Sequence, residues 1–216
     1  MRLILLGPPG AGKGTHAVDL SKLFHVPHIS TGEILRDAVK QGTATGRKAK
    51  DFMDKGELVP DAVVVGIVAE RLKAKDCQEG FVLDGFPRNL AQARDLDETL
   101  ARHGSRVEKV LYLATEISVI LRRLTGRRVC KNCNAGYNVV TLPPKKESIC
   151  DACEGPLLQR QDDQEETVLN RLAVYERQTK DLIAYYKDKG ILQTLDGNLE
   201  REEGFRQIVL VLKAGH

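Results

Sequence analysis

A chain of 216 residues that is 42% hydrophobic and 29% charged has ordinary globular usage, with length for one sizeable core plus small inserted pieces. Its 33 basic residues are offset by 30 acidic ones, and a net charge of +3 is too small to argue for nucleic acid. No apolar run approaches the roughly 20 residues of a membrane span, and the start lacks a signal peptide's basic head and long apolar stretch, so a cytoplasmic protein with no membrane partner is expected.

The chain opens on an apolar strand, Arg2 to Leu6, that runs directly into Gly7-Pro8-Pro9-Gly10-Ala11-Gly12-Lys13-Gly14-Thr15. A buried strand, a glycine-rich turn, a lysine and a following helix make a phosphate-binding loop: backbone N–H groups and the helix's positive end face the anion, and Lys13 reaches the distal phosphates. Gly14 occupies the position after the lysine, and the hydroxyl comes one later, at Thr15, so direct Mg²⁺ ligation by a side chain at the usual place is not available. Val18, Leu20, Leu23 and Phe24 give the next helix its apolar face. A second strand falls near Pro27 to Ile29, and Ser30-Thr31-Gly32-Glu33 fits a capping box. Further strands are expected at Gly80 to Leu83, Val107 to Leu113 and Ile191 to Leu195. Helices are expected at Asp61 to Lys75, Asn89 to Arg102, Glu116 to Leu124, Glu165 to Lys189 and Arg201 to Leu212. The alternation predicts an α/β fold, a parallel sheet with helices on both faces and ligands at the carboxyl ends of its strands. Two stretches break the rhythm and read as insertions: Ser30 to Val59, helical but interrupted by Gly42, Gly46 and Gly56, and Gly126 to Asp163.

The second insertion carries Cys130-Lys131-Asn132-Cys133 and Cys150-Asp151-Ala152-Cys153, two C-x-x-C pairs separated by sixteen residues. Four thiolates at this spacing match a closed, structural zinc site with no open position for a catalytic water, in a flap too small to hold itself by burial alone. Two disulfides are the alternative, and iron could replace zinc. Cys77 reads as a bland, half-buried thiol. The strand ending Phe81-Val82-Leu83-Asp84 places a carboxylate where it can organise Mg²⁺ through its waters, and Gly85-Phe86-Pro87-Arg88 then presents an arginine. Arg36, Arg123, Arg127, Arg128, Arg160 and Arg171 sit where the insertions join the core, with Asp162 and Asp163 beside Arg160. Concentrated arginines beside a phosphate loop suit phosphoryl transfer, which depends on positioning and charge neutralisation.

With these residues in view, the chain resembles adenylate kinases of the long type with a zinc-bearing lid. The markers are the loop Gly7 to Thr15, Ile29 to Glu33, Asp84 to Arg88, Gly126-Arg127-Arg128, and Arg160 to Asp163 followed by Arg171. The resemblance implies a five-stranded parallel sheet of order 2-3-1-4-5. It divides the chain into a core (1–29, 60–125 and 164–216), a monophosphate-binding insertion (30–59) and a lid (126–163). It also implies the reaction ATP + AMP = 2 ADP. On the ATP side it implies Gly10, Ala11, Gly12, Lys13, Gly14, Thr15, Arg123, Arg127, Gly136 and Tyr137, with the backbone near Leu199 meeting the adenine. On the AMP side it implies Thr31, Arg36, Glu57, Leu58, Val59, Gly85, Phe86, Pro87, Arg88 and Gln92. Arg160 and Arg171 would clamp the transferring phosphate, and Asp84, Asp162 and Asp163 would order Mg²⁺ and its waters. A monomer is implied. Asn89 stands where many adenylate kinases have threonine and is shared with pyrimidine monophosphate kinases, whereas Gln92 and the long lid favour AMP. Rival readings are a UMP/CMP or GMP kinase, a zinc-ribbon nucleic-acid-binding NTPase, and a purely structural nucleotide-binding protein.

Overall fold

The structure is a computed structural model that describes residues 1–214. Five parallel strands form the central sheet: β1 (Arg2–Leu6), β2 (His28–Ser30), β3 (Phe81–Asp84), β4 (Lys109–Ala114) and β8 (Leu192–Asp196), in the order β2-β3-β1-β4-β8. The fold class is the one the alternation predicted, and the order of the five core strands is the one the resemblance implied. Successive residues of β1 alternate between two cores, as the period of a strand requires. Leu3 and Leu5 pack with Ala17, Leu20, Ile208 and Leu212 from α1 (Lys13–Phe24) and α9 (Arg201–Ala214) on one face. Ile4 and Leu6 pack on the other with Val64, Val68, Leu96, Leu182 and Tyr186 from α4 (Asp61–Leu72), α5 (Leu90–Ala101) and α8 (Asp181–Asp188). Fully burying each such side chain contributes about 1.5–3 kcal/mol, which fixes the strand ends and the loops that follow them.

The first insertion holds α2 (Thr31–Lys40) and α3 (Ala44–Asp54). Ser30 caps α2, its hydroxyl accepting the Glu33 amide at 3.4 Å. Gly42 and Gly56 lie just beyond these helices, but Gly46 falls inside α3, where a side chain would collide with the Ala38 carbonyl. The second insertion follows α6 (Ile117–Thr125) and contains a three-stranded antiparallel sheet ordered β6-β5-β7: β5 (Arg127–Cys130), β6 (Gly136–Asn138) and β7 (Leu157–Leu158). The two insertions touch where Lys40 Nζ donates to the Lys131 carbonyl at 3.0 Å.

Four expectations need correction. The helix expected from Glu165 to Lys189 is broken into α7 (Glu165–Gln178) and α8. At the break the Thr179 hydroxyl donates to the Arg88 carbonyl at 2.8 Å, a tertiary bond that helical periodicity does not register. On α1 the buried residues are His16, Ala17 and Leu20, while Val18 and Leu23 are exposed; the helix meets the sheet along a narrow stripe centred on Ala17 and Leu20. The helix expected to reach Lys75 stops at Leu72 and is followed by a 3₁₀ turn at Lys75–Cys77. Cys77 is buried rather than half-buried, with Arg71 Nη1 3.0 Å from its sulfur, and burial pushes its thiol up to about 11.

Candidate active site

β1 lies at the point where strand order reverses, so its carboxyl end opens into the crevice between neighbouring crossovers. The loop that follows is left-handed at Gly10 (φ 81°) and Gly12 (φ 91°), a conformation glycine takes without strain. A Cβ on Gly10 would also sit 2.9 Å from Leu124 Cγ. Gly12 caps α1 without a side chain and the first turn holds no acidic residue, which leaves the helix's N–H groups and positive end to an anion. Ala11 is buried beneath the loop, Gly14 is partly buried and Thr15 is exposed. Lys13 Nζ donates to the Gly7 and Pro8 carbonyls, both at 2.8 Å. Burial draws its pKa down to about 8 against the pull of Asp84, and Arg88, Arg171 and Arg127 add to the lowering.

Asp84 ends β3 beside the start of α1, its Oδ2 3.2 Å from where a Gly14 side chain would begin and 3.7 Å from His28 Nε2. Burial pushes its carboxyl up, but contact with His28 and the charges of Lys13 and Arg88 hold it below the usual carboxylate range. The next turn gathers the acceptor side. Thr31 Oγ1 and Arg88 Nε both donate to the Gly85 carbonyl at 2.9 Å. Phe86 is buried in the core and Pro87, joined to it by a cis peptide, lines a cavity of about 80 Å³ with Lys13, Gly56, Leu58, Arg88 and Arg171. Within the Glu57 to Val59 segment that closes the insertion, Glu57 is exposed and Val59 buried. Burial, then Arg171, draws Arg88 down to about 10.

Gln92 is buried with both ends of its amide engaged: Oε1 accepts the Arg88 amide at 2.8 Å and Nε2 donates to Asp61 Oδ1 at 2.6 Å. Asn89 also donates to Asp61, at 2.9 Å, while its own oxygen caps α5 by accepting the Gln92 amide at 2.9 Å. Asn89 is thereby explained by helix capping and by Asp61, without reference to a nucleobase. The sequence reading missed Asp61, which from sequence is only an acid in the first turn of a helix after a proline. It also missed Thr179.

The arginines at the insertion boundaries converge. Arg127 Nε donates to Asp163 Oδ2 at 2.7 Å, and its Nη2 pairs with Oδ1 of the same carboxylate. Arg171 Nη1 lies 3.2 Å from Asp163 Oδ1 and 3.0 Å from Asp162 Oδ2. Asp163 is fully buried. Asp162 and Asp163, expected to order Mg²⁺ waters, both lie against arginines: Asp163 takes Arg127 on both oxygens and Arg171 on one, and Asp162 pairs with Arg171 through Oδ2. The side chains of Arg36 and Arg160 have no hydrogen-bonded partner among the described residues. Burial lowers both, with Arg127 and Arg36 pushing Arg160 further down, to about 9. Lys13, Arg36, Arg88, Arg127, Arg160 and Arg171 thus sense one another across the crevice against the fewer carboxylates of Asp84, Asp162, Asp163 and Glu33. Such a partly desolvated excess of positive charge is a site for a polyanion.

On the far side of the loop, Arg123 bridges the segment after β8, donating to the carbonyls of Gly197 (2.6 Å), Asn198 (3.2 Å) and Leu199 (2.7 Å). Arg123, expected on the ATP side from the lid base, and Leu199, expected at the adenine, are joined by the last of these bonds. Arg128 turns back to the Thr125 and Arg127 carbonyls at the lid base. Gly136 is exposed on β6. The hydroxyl of Tyr137, expected on the ATP side, is instead taken up within the lid by Cys150 and Asp151.

The cysteines form two matching turns. Cys130 N donates to the Ala135 carbonyl and Cys150 N to that of Gly155, both at 2.9 Å, while Asn134 and Glu154 return their amides to the Cys130 and Cys150 carbonyls. The residue after each second cysteine is left-handed, Asn134 at φ 60° and Glu154 at φ 57°. Four sulfurs result, all within 4.8 Å of one another, with Cys130–Cys153 at 3.4 Å and Cys133–Cys150 at 3.6 Å. A tetrahedral ion with bonds of about 2.3 Å spaces its sulfurs by about 3.8 Å, so the cluster is compatible with zinc. These sulfur separations exceed the roughly 2.05 Å of a disulfide.

Comparison with known proteins agrees along the chain. The family profile described as "Adenylate kinase" matches residues 5–191. An adenylate kinase of Caldicellulosiruptor bescii is 54% identical over 212 residues, covering 98% of this chain and 99% of the relative. One from Archaeoglobus fulgidus is 51% identical over 99% of this chain and 98% of its own length. One from Clostridioides difficile is 49% identical over the full length of both.

Proposed function

This chain belongs to the adenylate kinase family and is a phosphotransferase that interconverts ATP plus AMP with two ADP; from that premise we propose how its residues divide the reaction. The carrying observation is the crevice in which six cations outnumber the four carboxylates that face them. Lys13, the loop from Gly10 to Thr15 and the N-terminus of α1 hold the donor's phosphates. Arg123 and the backbone at Leu199 receive its adenine. Thr31, Arg36, Arg88, Gln92 and the backbone from Glu57 to Val59 hold AMP with its phosphate toward Arg88. Arg127, Arg160 and Arg171 close over the group in transfer.

A phosphate oxygen of AMP attacks the terminal phosphorus of ATP, the bond from that phosphorus to the bridging oxygen breaks, and ADP leaves with the electron pair. The acceptor is already anionic, so no base is required. The protein's work is to hold the two phosphates in line and neutralise charge on the equatorial oxygens, where a single aimed donor contributes about a hundredfold or more. Asp84, a hard oxygen donor beside the loop, would hold Mg²⁺ through its waters, and the ion when bound supplies further neutralisation of the ATP phosphates. The four lid cysteines would hold zinc as a structural ion. The free thiols suit a reducing cytoplasm, and one chain supplies the whole site, consistent with a monomer.

A coupled assay of ADP formation, run with AMP, CMP, UMP and GMP as acceptors, tests the assignment. ADP from ATP and AMP, preferred over the other acceptors and abolished in Lys13→Ala, is the expected result. Turnover near wild type in Lys13→Ala, or preference for another acceptor, refutes it.

A further inference from the structure

One contact in the lid has no place in the chemistry above. Tyr137 Oη accepts the Asp151 amide at 2.8 Å and lies 3.4 Å from Cys150 Sγ. A phenol carries a single proton. With Asp151 donating to the oxygen and Cys150 ligating as a thiolate, which has no proton to give, that proton has Cys150 as its partner and the bond runs from oxygen to sulfur. Cys130 and Cys150 are otherwise equivalent: each accepts one amide at 3.4 Å, from Asn132 and Ala152 respectively. The hydroxyl breaks this symmetry at Cys150.

We propose that Tyr137 is a positioning residue for the metal cluster, its hydroxyl fixing the orientation of Cys150 Sγ and withdrawing charge from that thiolate. Chain connectivity gives the reason. The first cysteine pair continues directly from β5, so the sheet fixes it. The second pair begins after sixteen intervening residues and is held from its far side by β7, which pairs with Val129 and Cys130. Tyr137, on β6 opposite Arg128, reaches the near side of the second turn and ties it to the same sheet. A thiolate that receives such a bond is held in its ligating orientation and is shielded from protonation and attack, and the ion it holds leaves more slowly.

The inference rests on reading the cysteines as a metal centre, and the experiment separates the two. Zinc-loaded wild type and Tyr137→Phe are compared by the rate of zinc transfer to a chromogenic chelator. After substitution with Co²⁺, they are compared by the energy of the thiolate-to-cobalt charge-transfer band. Tyr137→Phe is expected to lose zinc about tenfold faster, with the band moved to lower energy because the sulfur keeps more electron density. Leu157→Ala removes apolar packing from the cluster that holds Cys130, Cys150 and Tyr137 but removes neither the hydroxyl nor the sulfur of the bond. It should lower the melting temperature and leave the band in place. Equal release rates and superposable bands in Tyr137→Phe overturn the proposal. Should that variant fail to load, wild type carrying a magnetic cadmium isotope decides: a tyrosine hydroxyl proton coupled to cadmium through sulfur is expected, and no such coupling overturns it. Wild type that binds neither zinc nor cobalt overturns the metal reading, and the proposal falls with it.

Discussion

Replacing Asp163 with asparagine removes a charge and keeps the shape, which makes it the sharpest probe of what this carboxylate does. Asp163 is fully buried and receives Arg127 through both its oxygens and Arg171 at 3.2 Å. Removing one partner of a buried ion pair typically costs about 3–5 kcal/mol. Arg127 keeps a quarter of its side chain exposed and Arg171 retains Asp162 at 3.0 Å, so the lower end, about 3 kcal/mol, applies here. For a domain of this size that lowers the melting temperature by about 6–12 °C. If the two misaimed arginines lose a similar amount of transition-state stabilisation, turnover falls about a hundredfold. Thermal melts and coupled ADP formation across a Mg²⁺ titration measure both. A carboxylate that served the ion would give a variant restored by excess Mg²⁺, whereas an arginine clamp would not. Restoration by Mg²⁺, or an unchanged melting temperature, refutes the clamp.

Three further outcomes follow from the same geometry. Because the charged form of Lys13 is the active one and its pKa is drawn down to about 8, kcat/KM for ATP should fall as pH rises through about 8. The limb in kcat should lie higher, since bound phosphate favours the ammonium; Lys13→Arg should move the kcat/KM limb upward, and an unmoved limb assigns it to another group. Arg36→Ala should raise KM for AMP about tenfold or more while leaving ATP affinity nearly unchanged; the reverse pattern in separate titrations would exchange the two sites. Cys150→Ser should lower metal content and melting temperature together, as should chelation of wild type, with much activity kept well below the transition; melting that answers to reductant alone would sink the metal reading.

The parts of this molecule most legible from sequence are those whose cause is local. The loop from Gly7 to Thr15 announces itself because strand, glycines and lysine act within a few residues of one another, and the cysteines because a turn around an ion sets their spacing. What the sequence hid is tertiary. Thr179 looks like any helical residue until its hydroxyl finds the Arg88 carbonyl, and Asp61 looks like a helix-starting acid until Asn89 and Gln92 close on it. Asp162 and Asp163 were legible as site residues but not as partners of arginine, since their proximity to Arg127 and Arg171 comes from a lid and a helix folded together. The burial of α1 was misread for a related reason: hydrophobicity marked Val18 and Leu23, but the sheet accepts the smaller Ala17.

The two bonds from Lys13 to the carbonyls of its own loop carry one more consequence. An ammonium has three donors, and here two of them are spoken for within the protein, which leaves one with a fixed direction. A lysine is ordinarily among the most mobile charges on a protein, and immobilising it on binding would take up to about 2 kcal/mol of side-chain entropy. In this chain that ordering is completed during folding. Phosphate affinity at the loop is thus expressed with little rotamer loss left to meet, and a variant that frees Lys13 from its loop should bind nucleotide with a more unfavourable entropy rather than a weaker enthalpy.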